Sequence, residues 1–160
     1  MLLHQVLKYL ILWSLIGSIV FSLMVIYLFR SGRVYDARNE KGHLKKRMSI
    51  KGLLTMISFL VLIVAFMTFT NFLSLVSQDI QVTFWQAFWL NLSLIIVLIV
   101  YDSVVIDWWV IGRWRPAFLQ LPEAMDKEEM AKHIRATFVA GPLFALLLAV
   151  FSAGVTTLIW

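Results

Sequence analysis

The chain has 160 residues, of which 61% are hydrophobic and 14% charged, and its formal net charge is +5. So apolar a composition excludes an ordinary soluble domain and points to lipid as the solvent. It has no cysteine, which removes disulfides, thiolate chemistry and Cys-based zinc sites from consideration.

Crossing about 30 Å of hydrocarbon takes roughly 20 apolar residues in a helix. Four stretches meet that length, at about 6–29, 52–75, 84–111 and 136–160. The expected fold is all-α: one four-helix transmembrane domain over residues 1–160. The first stretch is too long for a signal-peptide core and lacks a small-residue cleavage pattern, so it reads as a retained helix. It carries Ser14, Ser18 and Ser22 at four-residue spacing with Gly17 beside them. Residues four apart share a helix face, and small side chains let helices approach closely in lipid.

The first connection, residues 30–51, holds eight of the fourteen Lys and Arg residues. The second stretch contributes Thr68 and Asn71, and the connection after it, 75–83, has no Lys or Arg. The third stretch carries Asn91, Asp102 and Asp107 and ends in Arg113-Trp114-Arg115-Pro116. The third connection, 112–135, holds five more basic residues, which leaves only Lys8 elsewhere. The positive-inside rule then predicts two cytoplasmic basic loops and both termini outside. Trp85 and Trp89 near one end of the third stretch, and Trp108, Trp109 and Trp114 near the other, fit interfacial belts. The basic charge fits contact with anionic headgroups, and no motif supports nucleic-acid binding.

Residues 123–135 read as a short amphipathic interfacial helix with Glu128–Lys132 and Glu129–His133 spaced as i,i+4 pairs. Gly141-Pro142 is expected to kink the fourth stretch or divide it from that helix. Gly141, Ala145, Ala149, Ala153 and Thr157 form a second small-residue stripe, so the economical pairing is the first helix on the fourth, with a homodimer as competitor.

Asp102 lies eleven residues before Arg113, about 16 Å at the helical rise and near mid-membrane. A carboxylate there is expected to face protein or water. Asp102, Asn91, Asn71 and Ser18 are therefore candidates for a ligand, proton or cation site inside the bundle. Asp107, Arg113 and Arg115 are candidates for an interfacial anchor or a lipid-phosphate site. In an α-helix, positions five apart differ by roughly 140°, so Asp102 and Asp107 are not expected to work together or to hold a metal. No histidine pair has metal-ligand spacing, and no cofactor motif occurs.

The segment Asp-x-x-Val-Ile-Asp-Trp, Asp102 to Trp108, followed by a basic-proline turn, resembles a segment of small four-helix bacterial membrane proteins. The resemblance implies a bacterial plasma membrane and four helices, and it carries over no activity and no catalytic residue. Three functional readings stay open. One is binding or conduction of a small solute, cation or proton through a bundle-buried aspartate, as a homo-oligomer. Another is an accessory or regulatory subunit of a larger membrane complex. The third is an inner-leaflet lipid-modifying enzyme, for which the residues offer least.

Overall fold

The computed structural model describes residues 3–33, 49–75, 83–119, 121 and 127–159. Four long helices dominate them: α1 (Leu3–Arg30), α2 (Ile50–Leu75), α3 (Phe84–Tyr101) and α4 (Lys127–Ile159). A π-helical segment, Asp102–Trp114, continues α3, and a single 3-10 turn follows at Ala117–Leu119. All regular structure among the described residues is helical.

Four helical spans are long and apolar enough to cross a membrane, and only 17% to 33% of each apolar window is buried inside the bundle. The remaining apolar surface is far more than a water-soluble monomer exposes. The chain is a multi-pass membrane protein.

Local sequence sets the helix ends. The Ser49 hydroxyl accepts the Gly52 amide at the start of α2. At the start of α3, Thr83 and Gln86 form a reciprocal capping box. Past the end of α1, Gly32 adopts φ 69 and donates to the Phe29 carbonyl. That left-handed conformation is one a glycine takes without a Cβ penalty.

Contacts fix the arrangement. Tyr9 meets Asn71, Asn71 meets Asn91, Asn91 meets Ser152, and Asp107 meets His133. Successive helices therefore run antiparallel. The expected pairing of the first helix with the fourth is corrected: α4 packs on α3 and α2, and α1 packs chiefly on α3. One core joins Met67, Ala87, Phe88, Ile95, Ala145, Leu148, Ala149 and Ala153, and a second joins Tyr9, Trp13, Leu90 and Leu94. The stripe on α4 is thus a packing face, but α3 is the larger partner. A Cβ on Gly141 would meet Ile99 at 3.2 Å, and one on Gly17 would meet Phe66 at 3.2 Å and Leu98 at 3.3 Å. Stripe spacing identifies a face and not the helix that fills it.

The fourth helix is not divided at Gly141-Pro142, one of the two outcomes expected there. Residues 127–135 run without division into the apolar part, and Pro142 lies inside one helix. Pro142 is exposed at the bundle surface. Residues 123–126 of the expected interfacial helix, and most of the basic loop 30–51, fall outside the described residues.

Candidate functional site

Two polar levels lie inside the bundle, separated by mainly apolar side chains. The first is built by all four helices. Asn71 on α2 donates to Asn91 Oδ1 at 3.0 Å and to Thr156 Oγ1 at 3.2 Å, and accepts from the Tyr9 hydroxyl at 3.2 Å. Asn91 on α3 donates to Ser152 Oγ at 3.1 Å. Ser152 and Thr156 hand their own protons to the carbonyls of Leu148 and Ser152, one turn back on α4. The Thr70 hydroxyl donates to the Met67 carbonyl, so the 3.2 Å contact with Tyr9 is made by the tyrosine's single proton, shared with Asn71. Thr70, Asn71, Asn91, Ser152 and Thr156 are fully buried. Nearby, Trp13 donates to Ser74 at 2.7 Å.

In hydrocarbon these groups have no water to fall back on, so each must be met within the protein. Both amide protons of Asn71 and its carbonyl oxygen are in use. The arrangement ties four helices at one level.

The second level belongs to the π segment. Asp107 is 8% exposed and its Oδ2 lies 3.1 Å from His133 Nε2 on α4. Asp107, expected as an interfacial anchor paired with Arg113 or with a basic residue on another helix, is buried and pairs with His133 on α4. Asp102 was expected to be the buried carboxylate; it is half-buried, at the junction of α3 with the π segment. The backbone register changes between the two. Within the π segment the hydrogen bond joins residues five apart, as in Arg115 N–H to the Val110 carbonyl at 2.8 Å. Residues five apart therefore sit on successive turns, where an α-helix would separate them.

That register accounts for the sequence spacing. Arg113 lies over the ring of Trp108, five residues back, at 4.5 Å. Trp114 stacks on Trp109, also five back, at 5.5 Å and 28°. Asp102 and Asp107 share the spacing, so the π segment brings them nearer one face than an α-helix would. Arg115 closes the segment at φ 45, and its guanidinium returns to the Ile111 carbonyl at 3.3 Å. No group of three or more His, Asp or Glu residues among the described residues could hold a metal ion.

The four residues proposed as one site divide accordingly. Asn71 and Asn91 come together. Asp102 lies eleven residues further along from Asn91, on the order of 16 Å. Ser18 offers its carbonyl to the Ser22 hydroxyl at 2.7 Å. That spends the Ser22 proton, so the Tyr101 hydroxyl is the donor in their 2.7 Å contact, which binds α1 to α3.

Sequence reasoning passed over Tyr9, Ser152 and Thr156. Ser152 and Thr156 are four apart beside the Ala149–Ala153 stripe, a signal that was available. His133 was read as a surface partner of Glu129, because helix spacing shows neighbours on its own helix and not those across the bundle. Among known proteins the chain matches no family model, no curated protein and no solved structure.

Proposed function

We propose that this membrane protein binds a proton or small cation at the Asp107–His133 pair, and acts as a homo-oligomer in a plasma membrane. The single observation behind this reading is the contact of the buried Asp107 carboxylate with the partly buried His133 imidazole, between two membrane-spanning segments. Ionisable groups at such positions are costly in lipid and serve most often as ion or proton sites. Its position on a π segment adds support, since such segments are rare and recur at functional sites.

The apolar layer between the two polar levels favours binding over conduction by one copy. Met67, Leu94, Ile95, Ala145 and Ala149 are buried there beside Thr68 and Ser103, whose hydroxyls have no partner, and among the hydrogen bonds described no polar chain connects Asn91 to Asp107. A path through the membrane then needs a second chain. That chain is a further copy in this reading and a different protein in the accessory-subunit reading.

Native mass spectrometry on protein gently extracted from its own membrane, with proton and cation uptake in proteoliposomes, tests this. Asp107→Asn and His133→Gln should each reduce uptake about tenfold or more, while membrane insertion is retained. Uptake equal to wild type in both variants rejects the ion site. A second membrane protein retained by wild type and by Asp107→Asn alike supports the accessory reading instead.

A further inference from the structure

The π register builds a surface that neither polar level uses. Trp108 and Trp109 are followed five residues later by Arg113 and Trp114, so one turn places a cation–π pair beside a stacked indole pair. Phe118 extends the aromatic surface, edge-on to Trp114 at 6.4 Å. All of these residues are exposed, Trp108 at 42% and Trp114 at 57%.

Arg113 has a guanidinium held over an indole and no ion pair with Asp107, whose partner is His133. Arg115 adds a second guanidinium within the same turn. Arg30, Arg33 and Arg135 belong to the same end of the antiparallel bundle, where Lys132 is paired with Glu128, so an anion arriving there meets a net positive field.

We propose that Trp108, Trp109, Arg113 and Trp114 bind an anionic phospholipid, its phosphate on Arg113 and its glycerol and upper acyl chains across the Trp109–Trp114 stack. An arginine merely anchoring a helix needs no stack. One held over a tryptophan has lost much of its rotamer freedom in advance and presents its N–H fork ready for bidentate recognition of phosphate. The adjoining indoles favour an amphiphile over a free anion, since their faces have nothing to offer inorganic phosphate. This inference does not rest on the proposed ion site.

The test is native mass spectrometry of the full chain released from bilayers of phosphatidylglycerol and phosphatidylcholine in equal parts. Wild type should retain phosphatidylglycerol in preference. Loss of one charged phosphate contact corresponds to about tenfold in affinity, so Arg113→Gln should remove most of the preference. Arg113→Lys should fall between, because it keeps the charge without the fork or the stack. Trp114→Leu, which leaves both arginines in place, should lower retention of both lipids about threefold. Equal retention of the two lipids by wild type overturns the proposal, as does unchanged preference in Arg113→Gln. Release of the bound lipid by excess inorganic phosphate overturns the lipid assignment.

Discussion

Asn71 is fully buried and uses both amide protons and its carbonyl oxygen on three other helices. Asn91→Ala should therefore cost about 1–2 kcal/mol, since it strands an amide proton of Asn71 and removes the donor to Ser152 Oγ. Bundle hydrogen bonds in lipid average only about 0.6 kcal/mol each, so a loss beyond that value would reflect the stranded groups. Reversible unfolding in mixed micelles measures it. The opposite sign is expected where a buried hydroxyl has no partner. Thr68 Oγ1 and Ser103 Oγ are such atoms, and Thr68→Val and Ser103→Ala should leave stability unchanged or raise it by up to about 1 kcal/mol. A loss larger than that in the same titration would mean each hydroxyl is engaged. The asparagines were visible as polar residues in apolar stretches. Their mutual contact was not, because residues twenty apart on two helices meet only after the helices pack.

Among the elements, α4 and the π segment differ most from what periodicity suggests. Ala145, Ala149 and Ala153 are fully buried against α2 and α3. Ala149→Leu is expected to cost about 1–3 kcal/mol through overpacking, whereas Leu143→Ala, at a position 65% exposed, should change stability little. Thermal unfolding of the two variants in the same detergent compares them directly. The small-residue stripe was legible as a face, and the helix it faces was not. The π segment was hidden for a different reason. A reading at 100° per residue puts Trp108 and Arg113 on separate faces, yet the repeated five-residue spacing of Asp102–Asp107, Trp108–Arg113 and Trp109–Trp114 is in the sequence itself. Each pair meets, or draws nearer, when the backbone bonds close over five residues.

At the scale of the whole molecule, Arg30, Arg33, Lys51, Arg113, Arg115, Lys132 and Arg135 are at one end of the bundle, and Lys8, Trp85 and Trp89 are at the other. That segregation supports a topology with both termini outside. The absence of native cysteine makes a clean measurement possible. An impermeant maleimide should label Lys8→Cys and Thr83→Cys on intact cells, and Arg33→Cys and Lys132→Cys only after the membrane is opened. The reverse pattern would invert the topology and place the Asp107–His133 level nearer the outer face.

Composition and length alone determined the number of spans and their solvent, because lipid offers the polar backbone no water and a helix satisfies it within each apolar stretch. The uneven placement of lysine and arginine determined which helix ends share a side. Tertiary structure decided which helix fills each small-residue face, which carboxylate is buried and what it meets. Those outcomes depend on helix rotation and on one change of backbone register at Asp102. A helical period read along a single chain carries neither. Moving from α to π turns the face that Asp107 presents, and with it the partner that it finds on α4.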